Sequence, residues 1–544
     1  MKNLILGAML FAASPALAQY HSQVWNPDNG DGTYTNPVIN ADYSDPDAIA
    51  VGDDYYLTAS SFNCIPGLPV LHSKDLVNWE IIGHAVDRLV PDSLFAGKPA
   101  HGNGVWAPSI RYHDGHFYIY WGDPDNGVFM VKAKNPAGPW DEPVLVIPGK
   151  GMIDTTPLWD DDGRCYLVNG WANSRNRFAS VITVRELSAD GTRAIGKPVI
   201  VYDGNGNENH TVEGPKFYKR DGWYWIMAPA GGVATGFQLA MRAKSPYGPY
   251  ESMKVLAQGS TPVNGPHQGA WVHTKYGEDW FLHFQDKGAY GRVVHLQPVT
   301  WKDNWPVMGR MPKKGYCGEP YTTYRKPKSD SNVKVNPQES DEFNSPMLGQ
   351  QWQWHANYDQ AFGMPTTLGV FRLYTWKSNK TIWNTPNLLL QKTPADNFTA
   401  TTKMRFMAKA DHQLGGIIMM GMDYSALVVK RVGEKFQLQQ ITCAKADKGG
   451  KETVKVLATL ERTGEDQVQY QFGFYEDIYL RMTVREGKVK FSWSANGKKF
   501  RDVGDEFTMR EGKWIGAKVG LVAQEPEGTT NRGWIDADWF RITK

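Results

Sequence analysis

Apolar and polar positions alternate in short runs along most of the chain, and one composite pattern recurs. A turn rich in Asp and Gly leads into an aromatic run: VGDDYYLTAS from Val51, YHDGHFYIYW from Tyr112, WDDDGRCYLV from Trp159, YKRDGWYWIM from Tyr218 and KYGEDWFLHF from Lys275. Alternation on either side of a D-G-type turn is a hairpin signal. Aligning Tyr56, Tyr118, Tyr166, Trp225 and Phe281 gives spacings of 62, 48, 59 and 56 residues. A second element recurs in three of the units: HSKDLVNWE from His72, AKNPAGPWDEP from Ala133 and AKSPYGPYESM from Ala243. A repeat of about fifty residues built from short strands is the pattern of a β-propeller blade. Five copies predict five blades, with residues 19–325 as one unit. A β-sandwich with repetitive turns is the competing reading, and the recurrence of two separate elements favours the propeller.

The pattern breaks at residues 326–338, KPKSDSNVKVNPQ, a polar stretch with two prolines and no aromatic residue that reads as a linker. Beyond it, over residues 339–544, alternation resumes in longer runs such as TATTKMRFMA and IYLRMTVREGKVKFSWSANGKKF, with hairpin turns at 486–487 and 496–497. This predicts a β-sandwich. Its tryptophans, among them Trp352, Trp354, Trp376 and Trp514, form a core or a sugar-stacking face, and core is the preferred reading.

Composition supports an all-β chain: 21 Trp, 25 Tyr and 22 Phe, with 55 Gly and 33 Pro to make turns, in 544 residues. Lys and Arg number 59 against 57 Asp and Glu, a net +2 that argues against a general grip on nucleic acid or an anionic membrane. Residues 1–18, MKNLILGAMLFAASPALA, combine Lys2, an apolar run and a small-x-small end, which reads as a secretory signal peptide and predicts export to a bacterial periplasm or medium. No later stretch is long and apolar enough for a membrane span. Cys64, Cys165, Cys317 and Cys443 have no C-x-x-C spacing and are expected to be free, buried thiols.

Counting back from each aligned aromatic gives a second register. Asp45 lies 11 residues before Tyr56, Trp106 12 before Tyr118, Asp154 12 before Tyr166, Glu213 12 before Trp225 and His267 14 before Phe281. Equivalent positions of propeller blades share a ring about the axis, so these side chains are expected to converge at one mouth. Clustered carboxylates that lose solvent drive their proton affinities apart, so one stays protonated while another is ionised. Glycosidic hydrolysis needs that pair: an acid for the leaving oxygen and a base for water. Taken singly, Asp45 before Pro46 and Asp154 before Thr155 read as turn residues, and His267 as a core histidine. Their shared register is what raises them. Asp42, Asp47 and Asp160–Asp162 fall outside it and read as solvated turns.

The segments NPVINADYSDPDAIAVGDDYYL (36–57), HSKDLVNW (72–79), VWAPSIRYHDGHFYIYW (105–121), IDTTPLWDDDGRCYL (153–167), VEGPKFYKRDGWYW (212–225) and GRVVHLQPVTW (291–301) resemble glycoside hydrolase family 43, five-bladed propellers that are inverting glycosidases. The C-terminal sandwich looks like the concanavalin-A-like module of the family's β-xylosidases and α-L-arabinofuranosidases. The resemblance implies that Asp45 is the general base, Glu213 the general acid and Asp154 the acid that positions Glu213 and raises its pKa. It implies that Phe62, in TASSFNCIPG, and Trp106 wall the sugar pocket, that Arg292 reaches the sugar hydroxyls, and that His267 is the axial histidine that in some members sits over an ion, often calcium.

The implied activity is removal of terminal α-L-arabinofuranosyl or β-D-xylosyl units from plant polysaccharides or oligosaccharides, with a slight lean to the arabinofuranoside. No cofactor is required. A structural calcium is expected, if anywhere, beside His267 or between Asp341 and Asp538. The competing functions are an endo-arabinanase with an open groove, a sugar-binding propeller without catalysis, and a retaining fructosidase or sialidase. All three acids are present, which disfavours the second. The fructosidase segments are missing, and the single sialidase-like turn SANGKKF lacks its acid, which disfavours the third.

Overall fold

The computed structural model describes residues 19–378, 381–460 and 473–544. The expected signal peptide, residues 1–18, lies outside them. The chain is all-β, a five-bladed propeller followed by a β-sandwich, and the helices among the described residues are short turns.

Each blade is a four-stranded antiparallel sheet whose strands follow one another in sequence: 47–86, 106–148, 152–203, 216–256 and 267–308. The innermost strands are β1 (Asp47–Val51), β2 (Trp106–His113), β3 (Met152–Trp159), β4 (Lys216–Arg220) and β5 (His267–His273). The recurring D-G turn joins each to the second strand of its blade. In blades II and IV both turn residues take positive φ, Asp114 at 45° with Gly115 at 72°, and Asp221 at 52° with Gly222 at 70°. That handedness matches the twist of the paired strands.

The ring closes without sharing a strand between blades. Ile39, ahead of blade I, pairs with Val294 of blade V in both directions, at 3.2 and 3.0 Å. The Asn36 amide fixes the same seam by donating to Leu296 and Tyr321 carbonyls and accepting from Leu296 N. Buried polar ties also join the inner strands of different blades: the Lys216 ammonium donates to the Pro108 carbonyl at 2.6 Å, and Thr156 Oγ1 to Pro215 O at 2.9 Å. A buried lysine without such an acceptor would be strongly unfavourable.

In the sandwich a seven-stranded sheet faces an eight-stranded one, and Trp352, Phe371, Phe406, Ile417, Leu480 and Phe540 pack between them. The outer face of the eight-stranded sheet is also buried, by a second cluster around Ile382, Tyr424 and Ile441. Trp352 and Trp354 sit in the core as expected, whereas Trp514 is 49% exposed.

The stretch read as a linker contains no strand and is tied down along its length. Lys326 pairs with Asp28 at 2.6 Å and Asp75 at 2.7 Å, and Asn336 exchanges hydrogen bonds with Tyr20 and Ser22 of the N-terminal segment. The two units also pair directly. Ile65 of blade I and Trp354 exchange backbone hydrogen bonds, Gln353 donates to Pro66 O, and Lys518 Nζ lies 3.0 Å from Cys64 Sγ. All four cysteines are free; Cys64, Cys165 and Cys443 are buried and Cys317 is partly exposed.

Candidate active site

A left-handed residue marks the entry to every inner strand: Asp45 (φ 54°), Ala107 (27°), Asp154 (59°), Gly214 (56°) and Gln268 (54°). Strand pairing slips at the same place in blades II, III and V. Such conformations are unusual for residues with a Cβ and concentrate where a bulge re-aims a side chain. The sequence register therefore holds with one refinement. Asp45 and Asp154 are themselves the left-handed residues, whereas Trp106, Glu213 and His267 immediately precede theirs.

The three acids converge. Asp45 is buried, and its Oδ2 accepts from Ser60 Oγ at 2.6 Å and Ser44 Oγ at 2.9 Å. Its Oδ1 meets Arg292 Nη1 at 3.1 Å, and the same Nη1 donates to Ser44 Oγ at 2.8 Å. Ser60 in turn accepts from Ala107 N at 2.8 Å, so blades I and II together set the carboxylate. These are donors to an acceptor, the arrangement a base needs.

Asp154 and Glu213 stand differently. Asp154 Oδ2 accepts from Gly214 N at 2.7 Å, which links it to the residue after Glu213. A Cβ built on Gly170 would lie 3.5 Å from both Asp154 Oδ2 and Glu213 Cβ, so the two acids share that wall. Burial is the main force pushing the Asp154 carboxyl up, with Asp45 adding to it against the Gly214 amide, Lys216 and Arg292. Burial likewise raises Glu213, and the charges of Asp154 and then Asp45 raise it further against Arg292. A carboxyl held protonated in this way can donate a proton.

Arg292 opens the third strand of blade V, Arg292–Lys302. Its backbone N donates to Asp42 Oδ1 at 2.9 Å, and its guanidinium lies 5.1 Å from the Phe284 ring centre. Gly291, just before it, has φ 79°, and a Cβ there would come within 2.5 Å of Asp42, so glycine is required at that turn. His267 is buried with Nε2 3.0 Å from the Gly232 carbonyl oxygen, which makes that nitrogen the donor. Burial, and then Arg292, push its imidazole down to about 4, so the ring is neutral near pH 7. Phe62 and Trp106 meet edge to face at 6.3 Å and form one wall.

All seven residues singled out from the sequence thus gather at one mouth, or on its wall. The acids outside the register are a correction. Asp42 and Asp47 are 2% and 0% exposed, not solvated. Asp42 accepts from Arg292 N and Gly516 N, and Asp47 pairs with Arg111 at 2.6 Å. Asp160 is tied to Lys219 and Tyr224, and only Asp161 and Asp162 are open to solvent.

Two contributors were missed. Ser44 and Ser60 flank Asp45 in sequence or in space, and nothing in their local sequence marks them. The other is the loop 510–517 of the sandwich. Its Trp514 ring meets Trp106 at 5.8 Å and 61°, and its Ile515 packs with Phe62 and Cys64. Trp514 has φ 68°, a strained conformation for so large a residue. A tryptophan in the polar turn REGKWIG was the available signal.

The calcium expectation does not fit the donors. Asp341 accepts from Phe343 N, Gly349 N and Trp352 Nε1, so both of its oxygens are already taken, and Asp538 pairs through Oδ2 with the Lys403 ammonium at 2.6 Å, a cation already in the place. Beside His267 the described residues supply one ring nitrogen, Nδ1, which has no partner, and no carboxylate cage. Calcium takes six to eight oxygens.

Residues 34–306 match the family model for glycosyl hydrolases family 43, and residues 340–543 match the beta xylosidase C-terminal concanavalin A-like domain. A beta-xylosidase of Formosa agariphila is 31% identical over 97% of this chain and 93% of its own length. A non-reducing end alpha-L-arabinofuranosidase of Bacteroides ovatus is 33% identical over 93% of this chain and 94% of its own. Among solved structures, a GH43 protein of Bacillus licheniformis superposes with a TM-score of 0.78 at 26% identity, over 94% of this chain and 99% of that one.

Proposed function

This chain belongs to glycosyl hydrolases family 43 and is a glycoside hydrolase, and from that premise we propose that it is an exported, inverting exo-enzyme releasing terminal α-L-arabinofuranosyl or β-D-xylosyl units from plant polysaccharides or oligosaccharides. The observation that carries the reading is the division of labour among the acids. Asp45 is held by Arg292 and two hydroxyls, while half-buried Glu213 has no cation in contact among the described residues and a raised pKa.

In this mechanism Asp45 accepts a proton from a water that attacks the anomeric carbon. Glu213 delivers its proton to the glycosidic oxygen as the bond to the leaving group breaks. Asp154, fixed by the Gly214 amide beside Glu213, keeps that carboxyl protonated until the leaving oxygen needs the proton. Solvent then carries the proton from Asp45 away and returns one to Glu213. Arg292 holds Asp45 and is placed to reach the sugar hydroxyls. Phe62 and Trp106 exclude water from one side of the ring.

The walls supplied by Phe62, Trp106 and Trp514 support a pocket that accepts one chain end, and hence exo action. The names of the two relatives, one a xylosidase and one an arabinofuranosidase, support both pentosides. Assay of the mature protein on para-nitrophenyl α-L-arabinofuranoside and β-D-xyloside, with anomers followed by NMR, tests the reading. Release of a single pentose of inverted configuration is expected, and the rate ratio names the sugar. A retained anomer would end the inverting assignment. Internal cleavage of arabinan without pentose release would end the exo assignment.

A further inference from the structure

Trp106 is held from several directions, and one of its supports is not explained by the reaction at the acids. Its indole Nε1–H donates to the Gly102 carbonyl at 2.9 Å, and Phe62 and Trp514 meet it at 63° and 61°. The Arg175 guanidinium lies over its ring, 5.6 Å from the centre. Arg175 belongs to α1 (Asn173–Asn176), a single turn that follows the second strand of blade III. Blade III therefore reaches sideways to the wall that blade II provides.

The guanidinium is fixed by a bidentate pair. Nε and Nη2 each donate to Asp125 at 2.9 Å, Nη2 also to Asn103 Oδ1 at 3.3 Å, and Nη1 to Ser174 Oγ at 3.0 Å. A guanidinium has five N–H groups, so these four bonds leave one on Nη1. The side chain remains 22% exposed. Asp125 and Asn103 are the fork's own anchors, which sets its plane before any ligand arrives. The charges acting on Glu213 are those of Asp154, Asp45 and Arg292, with no contribution from Arg175. Carried by blade III and anchored on Asp125 of blade II, Arg175 lies against Trp106 on the blade II–III side of the mouth.

Resting on the exo-glycosidase reading above, we propose that Arg175 is a specificity-determining residue for the leaving group: its remaining Nη1–H donates to a hydroxyl of the sugar that departs, while Trp106 walls the sugar that is released. The leaving group selected is then a glycosyl unit carrying hydroxyls, not an aryl or alkyl aglycone. Arg175 takes no part in proton transfer.

The test compares Arg175→Ala and Arg175→Lys with the unmodified enzyme on para-nitrophenyl pentosides and on the matching pentose disaccharides. Arg175→Ala should lower kcat/KM on the disaccharides by about ten- to a hundredfold, the range of a hydrogen bond to a charged group, while the aryl substrates hold their rate. Arg175→Lys keeps the charge but not the fork and should fall between. Equal losses on both substrate types would overturn the proposal and make Arg175 a prop for Trp106. No loss on either would overturn it as well, leaving a solvated ion pair with Asp125. An unmodified enzyme inactive on both substrate types would instead strike at the exo-pentosidase reading.

Discussion

The first hairpins of the propeller blades carry acids both at the mouth and at the turn, and the two ends treat them in opposite ways. At the entry, buried Asp154 and half-buried Glu213 stand beside each other with one backbone amide as the only hydrogen-bond donor to either among the described residues, and burial followed by like charge drives both carboxyls up. At the exit, burial also works against Asp160 and Asp279, yet both end below the usual carboxylate range. Lys219 and Tyr224 outweigh burial at Asp160, and Arg220, His273, Trp271 and Trp301 do so at Asp279. The repeat is the same, and the partners differ. An acid that merely stabilises the blade is given its cation, and an acid meant to hold a proton is not.

The sharpest way to break that contrast is Glu213→Gln. With the transferable proton gone, kcat/KM on pentosides should fall by about 10²–10⁴-fold. The same substitution should stabilise the fold at high pH. In the native state Glu213 holds its proton to a higher pH than the ordinary value of 4.5. Below 4.5 the folded and unfolded states are both protonated and burial costs little. As pH rises through the raised native value, the unfolded chain is ionised and the native site resists ionising, so stability is lost. Thermal melts should show Glu213→Gln above the unmodified protein at pH 8, with the gap closing by pH 4. A variant that loses activity without that pH-dependent gain would mean Glu213 is not the strained acid of the pair.

Asp154→Asn is the next step down in effect, because it removes a charge rather than the proton donor. Asp154 is the largest of the charges that raise Glu213, so its neutralisation lets Glu213 ionise more readily. The basic limb of the pH profile of kcat should move to lower pH, with a smaller loss at the acidic side. A limb that stays in place would show that burial and Asp45, without Asp154, set the Glu213 proton.

How much of this was legible in the sequence follows from the range of each interaction. The blades were readable because hairpin turns and alternation are local. The ring of Asp45, Trp106, Asp154, Glu213 and His267 was readable because a repeat converts local position into spatial position, down to a one-residue offset imposed by the left-handed bulges. The fates of Asp42, Asp47 and Asp160 were not readable. Asp42 is used by Arg292 N 250 residues on and by Gly516 N 474 residues on, and no local pattern announces such partners. Trp514 was hidden for the same reason. Its neighbours in sequence belong to the sandwich, and its neighbours in space, Trp106 above all, belong to the propeller.

The smallest catalytic effect is expected at the other end of the strands, and it is the control that gives the comparison its meaning. Asp160→Asn removes an acid as buried as many catalytic ones, 4% exposed at the side chain, but one that Lys219 and Tyr224 already neutralise. Loss of that charge leaves Lys219 with only the exposed Asp161, 3.0 Å away. The variant should unfold more easily by about 1–3 kcal/mol, the cost of losing a charged hydrogen-bonded partner, as read by urea titration. Turnover on aryl pentosides and its pH profile should be unchanged, since Asp160 is not among the main charges that act on Asp154 or Glu213. Should the profile shift, the two ends of the strands would be electrostatically coupled through the axis, by way of buried Lys216. The entry acids would then owe their raised pKa values to the whole channel and not to the mouth alone.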